Sequence, residues 1–404
     1  MTHPQPTRAT ALSRLADFTA NMGHNYAHKR NFDYGPDADV KQDQWRDNVS
    51  KLSPYVRHKL LTEQELIAAA IKAHGAQGAD KFIAEVLWRG YFKGWLEQRP
   101  EVWADYVTNR DAKFRQIKRQ GGLRKIYEQA TEGRTGIDAF DHWAKELAQT
   151  GYLHNHARMW FASIWIFTLK LPWELGADFF LQHLLDGDAA SNTLSWRWVG
   201  GLHTKGKTYL ATKENIAQFT DGRFSPIGLA AETVPLEEEK TYKLRPLKIP
   251  PPPPPAAAFA LLVHEEDCHP ESLTLPQKPS LIIGVSGPDG KSPKGVSDKV
   301  RAFTSGAVTD AVGRAAEHFD CDSVMWNKGE KLSAILADAR MERLLSPWLP
   351  VGALKDAIGK EMRGNNARWV IRDYDAAIWP LATKGFFPVK KKAPDALRAI
   401  GMEL

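Results

Sequence analysis

Apolar residues return at helical period along the first half of the chain and gather into short strand-like runs along its last third. The helical period predicts helices at about 9–28, 62–75, 79–98, 137–149, 154–169, 173–185 and 188–199. Asp188 stands where the last of these needs an N-cap, and Pro172 where the sixth must begin afresh. Later, β-rich runs cover Phe259–His264, Ser280–Val285, Ser323–Trp326 and Arg368–Arg372, with helical stretches near 297–317, 329–340 and 352–362. That alternation predicts a smaller α/β, Rossmann-like domain with a mainly parallel sheet. Six consecutive prolines, Pro250 to Pro255, separate the two textures. Such a run fits neither helix nor sheet and favours a stiff extended spacer. The charged stretch Glu237 to Lys240 leads up to it. The expected organisation is a mainly α-helical domain over 1–245, a proline-rich linker over 246–257 and an α/β domain over 258–404.

Composition narrows the function class. The 404 residues are too many for one ordinary core. No apolar run is long enough to span a membrane, and the N-terminal stretch lacks the apolar core of a secretory signal, so a cytoplasmic protein without membrane contact is expected. Two cysteines, Cys268 and Cys321, can make neither a disulfide framework nor a four-cysteine iron–sulfur site. The net charge of +6 suits a polyanion without demanding one. Ten of the 14 tryptophans fall before residue 200, which suits either a large helical core or a site that stacks flat rings or moves electrons.

Three polar clusters interrupt the apolar helices. Asp186-Gly187-Asp188 puts two carboxylates around a glycine just before a helix, with Asn192 and Trp196 one turn apart beyond it. This could be a metal site or, more commonly, a cap. In His154-Asn155-His156-Ala157-Arg158-Met159, the residues Asn155, Arg158 and Met159 share a face, and Asp186 is the natural partner if Arg158 is buried. Glu85 and Arg89 stand at i, i+4 beside Trp88, Tyr91 and Phe92.

With Tyr26, Arg30 and the loop Ser50-Lys51-Leu52-Ser53, these clusters resemble, in order and spacing, the FAD-binding domain of photolyases and cryptochromes over roughly residues 7–225. The resemblance implies FAD held by Tyr26, Ser50, Leu52, Ser53, Arg89, Arg158, Asp186, Asp188 and Asn192. Asn192 would face flavin N5; plant cryptochromes tend to carry an acid there and insect ones a cysteine, so asparagine points to repair. Damaged DNA is the implied partner, bound through Arg30, Phe82, Glu85, Trp88, Asn155, Met159 and Trp198. Glu85, Asn155 and Met159 resemble enzymes acting on cyclobutane dimers rather than (6-4) products. The implied reaction is light-driven electron donation from reduced FAD, with Glu85 and Asn192 beside the chemistry and Trp196 and Trp173 as the first members of an electron chain. A monomer is expected.

The sequence also departs from the family. The third chain position falls near Gln120, with Tyr127 as a substitute to be tested, and Phe82 replaces a stacking tryptophan. Leu194-Ser195 and the stretch Val199 to Tyr209 differ from the usual pattern. The α/β domain follows the FAD domain, where the family's antenna domain precedes it; this suggests a reordered relative whose chromophore is unknown. A cryptochrome-like photoreceptor signalling through a partner is the alternative reading, and a flavin-binding protein with neither role is a third. The basic stretch Arg110, Lys113, Arg115, Lys118, Arg119, Arg124 and Lys125 reads as phosphate contacts or a solvated face. Gly284 to Ser292 only imitates a phosphate loop, since its glycine spacing is wrong and Pro288 removes a donor. His264, Asp267, Cys268 and His269 read as a loop at a strand end, and Lys390 to Lys392 as a solvated tail.

Overall fold

The computed structural model describes residues 4–35, 46–255, 258–327 and 329–402, with helices first and a sheet last. The first region contains α1 (Arg8–Thr19), α2 (His24–Lys29), α3 (Ser53–Arg57), α4 (Glu63–Gly78), α5 (Asp80–Glu97) and α6 (Glu101–Arg119). It continues with α7 (Gly121–Thr131), α8 (Asp138–Thr150), α9 (Asn155–Ser163), α10 (Trp173–His183), α11 (Ala189–Val199) and α12 (Lys213–Phe219). Local chemistry sets many ends. Thr62 and Glu65 form a reciprocal capping box at α4, and Asp188 accepts the N–H groups of Ala190 and Ser191 at α11.

The helix expected over 9–28 is two helices. Gly23, with ψ of −127°, takes the backbone out of the helical region, and a Cβ there would lie 2.6 Å from the His74 ring. The helix expected over 154–169 changes at Ile164 into a π-helical turn, Ile164–Thr168. Helices α6 and α7 were not expected. The charge of α6 hides a buried stripe of Val102, Trp103, Tyr106, Phe114 and Ile117, and α7 buries Tyr127 and Ala130.

The second region holds β1 (Phe259–His264), β2 (Leu281–Val285), α13 (Asp298–Phe319), β3 (Asp322–Met325), α14 (Leu332–Asp338), β4 (Arg343–Pro347), α15 (Ala353–Gly364), β5 (Arg368–Val370), α16 (Asp373–Ile378) and α17 (Phe386–Arg398). All strand pairs are parallel, in the order β3-β2-β1-β4-β5. β1 and β2 are buried on both faces, as central parallel strands must be. β4 was not expected from the apolar pattern. The lysine run expected as a solvated tail belongs to α17, which buries Phe386, Val389, Ala393 and Leu397. Only part of the run is solvated, because Lys390 Nζ meets Asp80 at 2.8 Å while Lys391 and Lys392 are exposed. Among the described residues no helix is long and apolar enough to cross a membrane.

The two regions share one core. Phe259, Leu261, Val263 and Ile282 from the sheet join a single apolar cluster with Leu66, Ile67 and Leu87 from α4 and α5. The seam is also ionic. Arg57 Nη2 lies 2.7 Å from Glu266, and Lys93 Nζ lies 3.0 Å from Glu266 and 2.7 Å from Asp188. Nearby, Lys59 Nζ bridges Glu63 at 2.9 Å and Asp375 at 3.1 Å. Burial pushes the Glu266 carboxyl up, but Arg57 and Lys93 outweigh it and hold it at about 2.

Breaking one partner of a buried charge pair strands the other. Glu266→Ala is expected to cost about 3–5 kcal/mol in urea unfolding of the full chain. A loss below about 1 kcal/mol, the range of a solvent-screened surface pair, would contradict this role.

Candidate functional site

Helices α2, α5, α9 and α11 bring most of the motif residues together. Arg30 ends α2 and its Nε lies 3.7 Å from Glu85 Oε1 on α5. The Arg30 carbonyl receives His154 Nε2 at 3.0 Å, fastening α2 to the start of α9. His154 Nδ1 accepts the His156 N–H at 3.2 Å, so the ring is neutral with its proton on Nε2. On α9, the half-buried Arg158 donates to the Leu153 carbonyl at 3.0 Å and to Asp186 Oδ2 at 2.9 Å, the expected carboxylate partner. Asp186 Oδ1 is buried and, among the described residues, has no hydrogen-bond partner.

Asp188 behaves differently from Asp186. One oxygen caps α11, while the other faces Lys93 at 2.7 Å and Arg89 at 3.5 Å. Burial alone would raise this carboxyl, but Lys93, Arg89 and Arg57 hold it well below the usual carboxylate range. Arg89 therefore does not pair with Glu85, as its i, i+4 spacing suggested. It turns to Glu63 Oε1 at 3.3 Å and to Asp188, because those buried carboxylates offer a far stronger partner than a half-open one. Glu85 remains beside Arg30. Its side chain is 43% exposed, yet the protein packed around it strips enough hydration to raise its pKa despite Arg30.

Several residues of this site carried no sequence signal. Arg57 Nε donates to the Gly187 carbonyl at 2.9 Å and so clamps the turn between the two aspartates. Arg46, buried between Asp33 at 2.7 Å and Glu146 at 2.6 Å, lies over the Tyr152 ring, which Arg158 also faces. Burial pushes the Asp33 carboxyl up, but Arg46 outweighs it and holds it at about 2. Burial likewise drives the Tyr152 hydroxyl up to about 12. Paired charges spread over loops leave no periodic trace, so only the fold reveals them.

The remaining candidates are placed unequally. Asn192 is buried and donates to the Ala177 carbonyl at 2.8 Å. Tyr26 and Met159 are half-buried, and Asn155 is exposed. Ser50 accepts the Leu52 N–H at 3.4 Å; Leu52 is buried and Ser53 is exposed at the start of α3. Phe82 is buried against Tyr26 at 5.3 Å and Phe18 at 6.2 Å, so it supports the wall and offers no free face for stacking. Trp198 is half-buried against Tyr209. Trp88 stacks on Phe386 of α17 with centroids 3.8 Å apart and planes at 9°. Arg110, expected among phosphate contacts, is buried beside Asp178 at 3.6 Å and donates to the Lys291 carbonyl at 3.0 Å. Its guanidinium is consumed by the seam.

Trp196 and Trp173 occupy different surroundings. Trp196 meets Trp165 at 6.1 Å, and Trp165 meets Tyr127 at 6.0 Å. Gly176 makes room for Trp196, since a Cβ there would lie 2.3 Å from its ring. Trp173 packs on Tyr106 at 5.6 Å. In the α/β region, the phosphate-loop imitation is spent internally: the Gly287 N–H donates to Glu265 at 2.7 Å, and Lys291 is buried. Asp267 of the neighbouring His264–His269 loop is locked to Arg372 at 2.6 Å.

Residues 82–224 match a family model described as the FAD binding domain of DNA photolyase. A deoxyribodipyrimidine photo-lyase of Streptomyces griseus is 34% identical over 174 residues, covering 42% of this chain and 36% of the relative. Its namesake in a strain of Thermus thermophilus is 31% identical over 221 residues, covering 53% of this chain and 47% of the relative. A solved class III photolyase from Agrobacterium tumefaciens is similar at 24% identity and a TM-score of 0.43, over 53% of this chain and 43% of that one. The chain thus spans less than half the length of these relatives.

His154 gives the site a pH signature. Burial lowers its pKa to about 4, against the partial opposition of Asp33. Because the folded value lies below the unfolded one, its contribution is complete above about pH 6.5 and is lost as pH falls toward 4. About 2 kcal/mol should be gone by pH 5. In urea unfolding at pH 7.5 and pH 5.0, His154→Gln is expected to shrink the acid loss by that amount; an unchanged loss would show that His154 titrates normally.

Proposed function

We propose, for a chain that belongs to the photolyase/cryptochrome family through residues 82–224, that the side chains gathered from α2, α5, α9 and α11 hold FAD and serve light-driven repair of cyclobutane pyrimidine dimers in DNA. The observation that carries the cofactor is the Arg158–Asp186 pair, whose Asp186 Oδ1 is buried without a partner among the described residues. A buried carboxylate oxygen left in this way costs free energy unless a donor reaches it, and an N–H of a flavin or adenine ring is such a donor. Arg158 supplies a fixed donor beside it, Asn192 a second amide, and Tyr26, Tyr152 and Met159 half-buried apolar surface. These residues fit a flavin nucleotide. Ser50, Leu52 and Ser53 lead into a helix start suited to its phosphates.

Bound FAD supplies the light-excited electron donor; the protein supplies orientation and a dry, polar enclosure. Glu85, with its raised pKa, is suited to donate a hydrogen bond to a pyrimidine carbonyl when protonated, and Arg30 keeps it in place. Asn155, Met159, Trp88 and Trp198 are the side chains we assign to an extruded base. The face-to-face contact of Phe386 on Trp88 favours the second reading, a photoreceptor without repair, because it covers one face of a ring that would receive the base.

For electron supply from an external thiol, the contiguous rings Trp196, Trp165 and Tyr127 offer a route in place of the missing tryptophan near Gln120. Under blue light with a thiol reductant, Trp165→Phe is expected to slow flavin photoreduction more than Trp173→Phe does. Equal slowing, or slowing by Trp173→Phe alone, would return the route to the pattern implied by the family. The function itself is tested by illuminating the reduced full chain with a dimer-containing oligonucleotide and following recovery of pyrimidine absorbance. Recovery is expected, and intact dimers beside reduced FAD would remove the repair reading and leave the photoreceptor and the flavin-binding protein with neither role. Asp186→Asn should lose FAD on gel filtration, whereas full retention would remove Asp186 from the site.

A further inference from the structure

The last helix, α17, packs on α5 at Trp88, one of the residues proposed to meet an extruded base, and its free face is unlike a solvated tail. Its direction is fixed by two contacts with α5: Phe386 stacks on Trp88 at 3.8 Å, and Lys390 reaches Asp80 at 2.8 Å. Phe387 follows immediately, with its ring 5.9 Å from Phe386, and is 78% exposed. Val389, Ala393 and Leu397 turn inward, so the outer face carries Phe387 and Lys391 one turn apart, flanked by Lys384 and Lys392. No side chain caps the helix and no acid lies in its first turn, which leaves its positive end open.

A single exposed aromatic is ordinary on a protein surface. This one adjoins Phe386, whose own ring stacks on Trp88, and it stands among lysines. An aromatic face beside cationic side chains is the combination that binds bases by stacking and phosphates by charge. A flat ring next to a pocket that receives an extruded base also has a ready partner in the gap that the base leaves behind.

We infer that the start of α17 is a DNA-contacting element, in which Phe387 stacks on bases left unpaired beside an extruded lesion while Lys384, Lys391 and Lys392 hold neighbouring phosphates. This rests on the proposed binding of damaged DNA. It assigns to the α/β region a share of the substrate surface, through a helix that lies outside the motifs of the FAD domain.

The test uses the full chain and two fluorescent duplexes, one with a single thymine dimer and one undamaged, with 2-aminopurine opposite the dimer site. Phe387→Ala is expected to weaken binding to the damaged duplex by about tenfold and that to the undamaged one by less than about twofold. It should also remove the 2-aminopurine change seen on binding, and Phe387→Trp should restore both. The triple variant Lys384→Glu, Lys391→Glu, Lys392→Glu is expected to weaken both complexes and flatten the dependence of log K on log salt by about two to three units. FAD content and thermal unfolding should not change, since these side chains are exposed. Wild type that binds damaged DNA, with Phe387→Ala within about twofold of it and the 2-aminopurine signal intact, would overturn this inference and leave the proposed function standing. Wild type that binds neither duplex would overturn both.

Discussion

The buried ionic seam is the constraint on which the rest of the structure depends. Arg57 sits at its centre, holding the Gly187 carbonyl with Nε and Glu266 with Nη2. Lys93 joins the same Glu266 to Asp188. The turn that carries Asp186 and Asp188 is therefore tied to a loop of the sheet region, more than seventy residues later in sequence. Charges taken this far from water are tolerable only when each meets an opposite, and removing one leaves its partners exposed to the full desolvation cost. The α/β region is in this sense part of the site's foundation.

Strand order explains how the two regions meet. In an open parallel sheet ordered β3-β2-β1-β4-β5, the chain changes direction between β1 and β4, and a crevice opens beyond their carboxyl ends. Here that crevice receives the end of α5. Glu97 accepts from the Val351 N–H and from Trp348 Nε1, and Gln98 donates to the Trp379 carbonyl. Gly94 permits the approach, since a Cβ would lie 2.5 Å from Trp379 backbone atoms. A position where such folds often hold a small ligand is used to dock another part of the same chain.

Much of this was legible in advance, and the failures share a cause. Regular apolar periodicity located α4, α5, α8, α10 and α11, and the Asp188 cap followed from its place before an apolar run. The Arg158–Asp186 pair could be expected because a buried guanidinium on an apolar helix needs a carboxylate. Arg89 could not be assigned by spacing, since its competing partner Glu63 lies on another helix. Arg46, Arg57 and Tyr152 belong to loops or a short helix, where side-chain type alone says nothing about burial. Helix α17 was obscured by its lysines and by Pro394, although Phe386, Val389, Ala393 and Leu397 already mark a buried stripe.

Arg57 holds the Asp186–Asp188 turn, proposed to bind FAD, from across the seam. Arg57→Lys keeps the charge for Glu266 but gives up the planar fork that also reaches Gly187. Titrating apo full-length protein with FAD, followed by flavin fluorescence, tests this directly. Wild type should bind FAD, and Arg57→Lys should bind it at least about tenfold more weakly while remaining folded. Equal affinity in the two proteins, or no binding by either, would contradict the account.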